Sequence, residues 1–428
     1  MGEALRRKDS TYLPSGFVQR SPLRTKLEPG LGGYRPLCRP SICEARIREL
    51  AMAAIKLLNF GIEEEYFLSD LTTRELVREL HPRFLPACRV ALPELLTAEM
   101  FVSQLEVVTP VMSSLEEARE CLTHARTTLS WLGEESGVGI VAAGTHPLAQ
   151  WRLQQGTDLP HYHDLFEDMQ MVAQRSVLSG LHVHVGTPGD RVVVMNKVLP
   201  WIPLLLALSA SSPFWGGRVS GLHSYRQAAC DEWPRMGLPE HFEDQAGYER
   251  YVDALVASNS VRSRSDVWWN LRPSLNFPTL ELRIADACPH LDDALCIAGL
   301  FRALVTWAVH ELKSAKHPAP SAPLQRLLVA ENRWRAKRYG TLGDYIEPGS
   351  QHSVSLSTWL ESTWQLIGPY AEAAGEGWVY PHAMQIVRDG NSAQDQLFHY
   401  QSQLQRGVAV RDALSAVVDR LRNQTLAV

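Results

Sequence analysis

The sequence predicts an α+β fold built on an antiparallel sheet that keeps one face open. First, the predicted strands alternate polar and apolar residues, whereas strands of buried parallel sheets read as continuous Val/Ile/Leu runs. Second, two of these strands, at 267–271 and 279–284, are separated by a short Pro-containing turn, which suits an antiparallel pair. Third, helical periodicity of apolar residues occupies several long stretches between the strands.

The elements follow in order from their local signals. Alternation predicts a first strand at 55–68, and Ser113 or Ser114 with a Glu three residues later predicts a capping box that opens a helix running to about 135. A short apolar strand at 138–143 ends at Gly144. The remaining predicted elements are a strand at 181–185, helices at 192–210, 245–257, 292–312 and 324–337, and the strand pair at 267–271 and 279–284.

The first 51 residues differ from the rest of the chain. They hold 10 Lys plus Arg against 5 Asp plus Glu, and are rich in Pro and Gly without apolar periodicity. We expect residues 1–51 to be a disordered arm or the product of a misassigned start, with Met52 as a plausible initiator. Residues 52–428 are then expected to form a single domain.

Composition excludes several classes of protein. Forty-two Lys plus Arg against 47 Asp plus Glu give a formal charge of −5, so no overall positive field favours nucleic acid or an anionic membrane. The longest apolar stretches, such as 202–210, fall short of the roughly 18 residues that a membrane-spanning helix needs. Seven Cys without a C-x-x-C pair indicate neither a disulfide framework nor a zinc ribbon, and favour a reducing cytoplasm.

Ionisable residues recur on one face of four predicted strands. In the first strand Glu63 and Glu65 share a face and Glu64 takes the other, because side chains alternate along a strand. Taken alone, such a run is more often a solvated face. The same arrangement recurs, however, in the other strands, at Glu106, at His182 with His184, and at Glu281 with Arg283. On one sheet, these groups would form a single polar surface.

This set of groups favours a hard cation and phosphoryl chemistry. Carboxylates with one or two imidazoles suit Mg²⁺ or Mn²⁺ better than Zn²⁺, and clustered carboxylates repel one another unless cations lie among them. Mg²⁺ held by carboxylates commonly bridges nucleotide phosphates, and an adjacent Arg can bind phosphoryl oxygens. Since the chain has neither a P-loop nor a Rossmann glycine motif, the sheet itself would hold a nucleotide.

Two other functions compete with this interpretation. The pair His182 and His184 could belong to a metal-dependent amidohydrolase, although that class usually places its ligands on the parallel strands of a barrel. A non-catalytic protein that binds nucleotide or amino acid would use the same polar surface without turnover. By itself, the histidine pair is as consistent with two hydrogen-bonded structural histidines.

The motifs, taken in order, resemble the carboxylate-amine ligases of the glutamate-cysteine ligase type 2 family. The resemblance covers about residues 57–425, and eight motifs in the same order are specific even though each is weak alone. The motifs are GIEEEY at 61–66, SQLE at 103–106, GTHP at 144–147, GLHVHVG at 180–186, SSPFW at 211–215, WWNLRPS at 268–274, TLELR at 279–283 and NRWRAKRYG at 332–340.

The resemblance implies a glutamine synthetase-like fold, an antiparallel, funnel-shaped sheet flanked by helices, that binds ATP and two or three Mg²⁺, with Mn²⁺ as an alternative. It implies a cytoplasmic homodimer acting on small-molecule carboxylate and amine substrates. Metal ligands implied by position are Glu63, Glu65, Glu106, His182 and Glu281, with Glu99 as a further carboxylate. Arg283 is implied as a phosphate contact and Arg272 as a catalytic or phosphate contact, and the implied substrate or nucleotide contacts are His184, Thr145, His146, Arg218 and Trp269.

The implied reaction is ATP-dependent amide formation through an acyl phosphate. Such chemistry needs positioning and charge neutralisation more than a protein nucleophile. Two positions depart from the family pattern: Val219 and Asn270 stand where acids are usual. We therefore expect a pocket that favours a partner with less positive charge than an amino acid.

Overall fold

The structure, a computed structural model, describes residues 57–312, 322–350 and 352–427. Its strands are β1 (Phe60–Asp70), β2 (Leu96–Ala98), β3 (Gln104–Val108), β4 (Val138–Val141), β5 (Gly180–Gly186), β6 (Phe214–Trp215), β7 (Arg218–Val219), β8 (Met236–Gly237), β9 (Trp268–Trp269), β10 (Leu271–Pro273), β11 (Thr279–Asp286), β12 (Asp344–Ile346) and β13 (Ser353–Ser355). The expectation for residues 1–51 lies outside the described residues.

Helices surround these strands. The α-helices are Phe84–Ala91, Leu115–Glu135, Pro160–Met169, Met171–Arg175, Arg191–Val198, Ile202–Ser209, Tyr225–Cys230, Gln245–Ala257, Leu291–Leu312, Ala322–Tyr339, Leu356–Ala373, Val379–Asp389, Ser392–Gln405 and Val410–Leu426. Short 3₁₀ turns lie at Trp151–Leu153, Leu199–Trp201, Arg264–Asp266 and Gly340–Leu342.

The central sheet has the strand order β10-β11-β5-β1-β3-β2, and β4 pairs with the C-terminal half of β1. Every neighbouring pair in this sheet is antiparallel, as the alternating sequence pattern predicts. Three separate two-stranded ladders, β6-β7, β8-β9 and β12-β13, lie outside it. The sheet therefore brings together strands that are up to about 200 residues apart in the sequence, from β1 to β11.

The two faces of the sheet have different partners. Ile62, Tyr66 and Leu68 of β1 point into the main hydrophobic core, together with most of the Leu291–Leu312 helix. The opposite face carries Glu63 and Glu65 and is covered, beyond them, by a second apolar cluster of buried residues. This cluster includes Phe67, Val141, Phe214, Leu414 and Val417. The polar part of the face is thus bounded on one side by packed protein.

A β-bulge interrupts β11. The register with β5 shifts between Leu282 and Ala285, so that two residues of β11 lie opposite one residue of β5. The bulge changes which face the following residues reach. Ala285 joins the main core, and Asp286 lies among the hydroxyl groups of buried serines.

The predicted elements correspond closely to those of the structure, with three corrections. The helix at 245–257 is confirmed as Gln245–Ala257, and Ser114 caps the Leu115–Glu135 helix by accepting a hydrogen bond from the Glu117 N–H. The single helix predicted at 192–210 is wrong. It is two helices joined by a 3₁₀ turn, because Pro200 and Pro203 lack the backbone N–H groups that a continuous helix would use.

The second correction concerns the strand predicted at 267–271. It is two short strands: β9 pairs in parallel with β8, whereas β10 forms the antiparallel hairpin with β11. The third correction concerns the first strand, which begins at Phe60, after residues 57–59. The predicted positions 55 and 56 lie outside the described residues.

Two segments, Arg191–Ser209 and Leu291–Leu312, are long and apolar enough to cross a membrane by length and composition alone. In each, 78% of the most apolar window is buried inside the protein. That degree of burial is typical of core helices, and the first segment is also broken at its 3₁₀ turn.

Candidate active site

Cross-strand register places the acidic and imidazole side chains next to one another. Glu63 lies opposite His182, and Glu281 lies opposite His184. Glu65 lies opposite Glu106 of β3. Because residues opposite one another in antiparallel strands have neighbouring side chains, four strands contribute to one acidic face.

Both histidines contact Glu63. Its two carboxylate oxygens lie 3.1 Å from His182 Nδ1 and 3.0 Å from His184 Nε2. Burial tends to raise the pKa of Glu63, but hydrogen bonds and charge interactions with the two histidines outweigh it and hold the pKa well below its usual value. Burial and the charge of Arg283 lower the pKa of His182. Glu63 therefore stays ionised at the centre of the site.

The other end of the acidic face is unusually rich in uncompensated carboxylates. Burial, followed by repulsion from Glu65, raises the pKa of Glu99 to about 8. Burial, followed by repulsion from Glu99, raises the pKa of Glu106 well above its usual value. Among the described residues, no hydrogen bond or ion pair reaches the Glu106 carboxylate. Such a cluster fits a cation, whose charge would remove the repulsion.

Two arginines surround Glu281. Arg272 donates two hydrogen bonds to its carboxylate, at 2.8 and 3.2 Å, and Arg283 donates a third at 2.5 Å. Burial tends to raise the pKa of Glu281, but the charges of Arg283 and Arg272 outweigh it and keep the pKa low. The site therefore places fixed positive charge beside fixed negative charge, as binding of a metal-bound phosphate requires.

Three overlapping sets of side chains could hold a metal ion. In each set, one ligand atom per residue lies within 4.8 Å of the others. The sets are Glu63, His184 and Glu281; Glu63, Glu106 and His182; and Glu65, Glu99 and Glu106. The structure thus brings together all six predicted metal ligands, with His184 in addition, and the oxygen-rich donor set suits Mg²⁺ or Mn²⁺.

A cavity opens beside the Glu65 end of the acidic face. It encloses about 890 Å³ including its open mouth, and we call it the Arg226 chamber. Its acidic, basic and imidazole side chains are those of Glu65, Glu99, His182, Arg226 and Arg283, and the rest of its lining is largely apolar.

Arg226 was not predicted from the sequence. Its Nη1 donates to the carbonyl oxygens of Arg283 and Ala285, on both sides of the β11 bulge, and its Nη2 lies 3.5 Å from His182 Nε2. It sits one residue into the short Tyr225–Cys230 helix, so no strand alternation marks it. In the sequence, Arg226 could have been noticed only as an arginine in a segment otherwise rich in small and apolar residues. The structure shows that it is buried.

Gly180 makes room for Arg226. A Cβ on Gly180 would lie 2.1 Å from Arg226 Nη2, so any larger residue would force the guanidinium to move. The same residue donates its backbone N–H to the Glu65 carboxylate at 2.6 Å. Glycine at the beginning of β5 therefore lets the guanidinium approach the sheet.

Several predicted contacts lie away from the acidic face. Thr145 donates to the carbonyl oxygen of Phe214, and the fully buried His146 contacts Ser69 Oγ at 2.7 Å. These side chains lie beside the second apolar cluster and outside the lining of the Arg226 chamber, and their contact with substrate stays a prediction. Arg218 lies exposed in the β6-β7 ladder, outside the lining of the Arg226 chamber.

Trp269 also lies outside the lining of the Arg226 chamber. It is buried in an aromatic cluster and stacks on Tyr251 with ring centroids 5.7 Å apart. Its neighbour Trp268 lines the Arg226 chamber instead.

The two departures from the family pattern lie in different places. Val219 is 48% exposed in the β6-β7 ladder, whereas Asn270 is buried and donates a hydrogen bond to Gln227 Oε1. Neither residue lines the Arg226 chamber.

Comparisons with known proteins agree with this geometry. The sequence model of glutamate-cysteine ligase family 2 matches residues 59–416. A relative from Ectopseudomonas mendocina, provisionally named glutamate–cysteine ligase 2, is 53% identical over 86% of this chain and 96% of its own. A relative from Pseudomonas paraeruginosa with the same provisional name is 46% identical over the same shares of the two chains.

Solved structures show the fold. A bifunctional glutathione synthetase from Pasteurella multocida has a TM-score of 0.65 at 15% identity, covering 89% of this chain and 54% of its own. A glutamate–cysteine ligase from Francisella tularensis, in complex with AMP, has a TM-score of 0.63 at 13% identity, covering 87% and 90%. The predicted glutamine synthetase-like α+β fold is thereby confirmed.

Proposed function

The chain belongs to glutamate-cysteine ligase family 2 and is an ATP-dependent carboxylate-amine ligase of that type, and from this premise we propose that its acidic face binds ATP with Mg²⁺ and activates a substrate carboxylate as an acyl phosphate. The observation that carries the proposal is the overlap of three potential metal-ligand sets with two arginines on one surface. Mn²⁺ is the expected substitute for Mg²⁺.

The side chains of the acidic face have different proposed roles that follow from their positions. Glu63, His184 and Glu281 hold one cation, and the Glu65, Glu99 and Glu106 set holds another. When bound, the cations supply charge neutralisation at the phosphates. Arg283, whose pKa the neighbouring Glu281 holds above its usual value, stays charged and contacts the transferred phosphoryl group.

Two bond exchanges make up the proposed reaction. A carboxylate oxygen of the substrate attacks the γ-phosphorus of ATP, and the bond to the β-phosphate oxygen breaks, releasing ADP. The amine nitrogen then attacks the acyl carbon, and phosphate leaves as the nitrogen loses a proton. The protein contributes mainly orientation and fixed charge, and no protein nucleophile is required.

Activity assays on the full chain test the proposed reaction. We expect release of ADP that depends on both a carboxylate and an amine, and formation of a hydroxamate when hydroxylamine replaces the amine. An amidohydrolase would release no ADP, and a silent binding protein would bind ATP without turnover. Either result would contradict the proposal.

Thermal melts test the assignment of the acidic face. Mg²⁺ with ATP should raise the melting temperature, since ligand at 100 times its Kd stabilises the native state by about 2.7 kcal/mol. Glu281→Gln should abolish turnover and most of this rise, whereas the exposed Glu372→Gln serves as the matched control. A Glu281→Gln protein that is folded and still shows the full rise would exclude Glu281 from the site.

We further propose that the protein works in the cytoplasm as a homodimer, on small molecules and without nucleic-acid or membrane partners. The net charge of −5 supports the lack of nucleic-acid and membrane partners, and the free thiols of the described cysteines support the cytoplasm. The homodimer rests on the family resemblance. A solution mass of one chain, 47.9 kDa, would contradict the homodimer.

A further inference from the structure

The wall of the Arg226 chamber is mostly apolar. Beyond the acidic face, its lining includes Met100, Leu165, Trp233, Met236 and Trp268. The Trp233 and Trp268 rings meet edge to face with centroids 5.5 Å apart, so the two indoles lie next to each other in the wall. Such a surface favours an apolar body in the bound molecule, because contact removes apolar area from water.

Positive charge lies at the inner end of this wall. Arg226 uses its Nη1 on two backbone carbonyls, which leaves donors on Nε and Nη2. Arg283 lies beside it and bonds to Glu281 through Nη1. Two guanidinium groups next to the candidate metal ligands can orient a carboxylate toward the acidic face.

Under the proposed function, the negative charge in the Arg226 chamber is committed to a cation. Its acidic lining residues, Glu65 and Glu99, belong to one potential metal-ligand set. The nearby Asp231 forms ion pairs with Arg333 and Lys337, at 2.6 Å each. Among the described residues that line the Arg226 chamber, no acid is therefore left for a substrate ammonium group.

The neutral polar groups of the wall already form hydrogen bonds with other protein atoms. Tyr162 donates its hydroxyl hydrogen to the carbonyl oxygen of Ala98 at 2.8 Å, and Trp233 Nε1 donates to Ser176 Oγ. Gln104 donates its amide hydrogens to protein oxygens and keeps only its neutral amide oxygen. A charged ammonium buried here would lose hydration without a charged partner.

From these observations, and resting on the proposed function, we propose that the Arg226 chamber binds the carboxylate substrate, and that this substrate is an acid with an apolar, preferably aromatic body and no α-ammonium group. The carboxylate lies at Arg226 and Arg283, and the body lies on Trp268 and Trp233. The preference follows from the residues of the wall and does not depend on Val219 or Asn270.

Matched substrate pairs test this specificity. The pairs are 3-phenylpropionate with phenylalanine, and glutarate with glutamate, which differ only in the α-ammonium group. With full chain, ATP, Mg²⁺ and hydroxylamine, we expect kcat/KM for hydroxamate formation to be at least about tenfold higher for the ammonium-free member of each pair. We also expect 3-phenylpropionate to exceed glutarate. Equal or better use of glutamate or phenylalanine would overturn the inference.

Binding of the same acids separates this inference from the proposed function. Melting temperatures are measured with Mg²⁺ and a non-hydrolysable ATP analogue, so the preference is read whether or not turnover occurs. If the ammonium-free acids stabilise the protein more but no acid yields ADP or hydroxamate, the ligase mechanism fails and the specificity stands. If the amino acids stabilise it as much or more, the specificity fails.

A tryptophan variant tests which molecule the wall contacts. Trp268→Ala should raise KM for 3-phenylpropionate at least about tenfold and leave KM for ATP unchanged. Trp131→Ala is the matched control, since Trp131 is 60% exposed on the Leu115–Glu135 helix. Leu165→Ala provides a second wall variant if Trp268→Ala does not fold. A rise in KM for ATP instead would show that the wall binds the nucleobase and would overturn the inference.

Discussion

At the scale of single residues, the adjacent Glu64 and Glu65 have different tasks because they lie on opposite faces of β1. Glu64 pairs with the fully buried Arg126 at 2.7 Å. Arg126 also donates to the backbone carbonyls of Pro289, Cys288 and Thr425. Glu64 therefore binds a buried arginine that connects several backbone segments, whereas Glu65 faces the Arg226 chamber.

Exchanging each of these glutamates for glutamine should separate stability from activity. Glu64→Gln should lower the free energy of unfolding by about 3–5 kcal/mol, since it leaves a buried guanidinium without its partner. It should retain near-normal kcat/KM in the folded fraction. Glu65→Gln should keep or raise the stability of the metal-free protein, because repulsion on Glu99 and Glu106 falls, and should lower turnover at least about 100-fold.

Urea unfolding and initial-rate assays on both variants measure these effects. If Glu64→Gln were instead stable but inactive, Glu64 and not Glu65 would belong to the active site, and the assignment of the two faces of β1 would be wrong.

His146 should make the protein sensitive to mild acid. Burial lowers its pKa from 6.5 to about 3, so the native state keeps the ring neutral while the unfolded chain binds a proton below pH 6.5. The contribution of His146 to the free energy of unfolding is therefore fully present above pH 6.5. It falls by up to about 1.4 kcal/mol per pH unit as the pH drops toward 3. His146→Asn should be less stable near neutral pH but lack this slope. Urea unfolding of both proteins between pH 7.5 and 4.5 measures the difference, and parallel pH curves would contradict it.

At the scale of elements, the beginning of β5 depends on glycine. Gly180→Ala should displace Arg226, because the added Cβ would lie 2.1 Å from its Nη2. We expect KM for the carboxylate substrate to rise at least about tenfold. Gly61→Ala is the control: its nearest neighbour, Thr109 Oγ1, lies at an ordinary 3.7 Å. Similar kinetics for the two variants would show that Arg226 does not position the substrate.

The extent to which the elements could be predicted depends on how local their causes are. Successive side chains of a strand point to opposite faces of the sheet. This rule holds for any regular strand, so it predicted that Glu63, Glu65, His182 and His184 lie on one face. It could not select Trp268 over Trp269 for the cavity, since β9 belongs to a separate parallel ladder that only tertiary contacts define.

Arg226 was missed for a related reason. Its role arises from contact between a short helix and the bulge of β11, segments more than 50 residues apart in the sequence. No pattern within either segment encodes that contact. The family resemblance supplied the candidate metal ligands, but it did not indicate which residues form the wall of the Arg226 chamber.

At the scale of the whole molecule, the described residues themselves provide a large hydrophobic core. Its main cluster, as described, runs from Phe60 onward, and the family match begins at residue 59. A chain that starts at Met52 should therefore keep its melting temperature within about 2 °C and retain full kcat/KM. Differential scanning calorimetry and ADP-release assays on both chains provide the measurement. An insoluble or inactive truncated chain would show that the N-terminal residues belong to the fold.

The bulge in β11 has a consequence for how this protein can evolve. Under the proposed function, Glu281 and Arg283 take part in the reaction, whereas Asp286, beyond the bulge, accepts hydrogen bonds from Ser212 and Ser224 in a buried network. The added residue separates these two functions along one strand. Substitutions that alter substrate choice can accumulate on one side without disturbing the serine network, whereas deleting a single residue between them would turn Asp286 toward apolar core. We therefore expect natural variants of this strand to tolerate changes of residue type far better than changes of length.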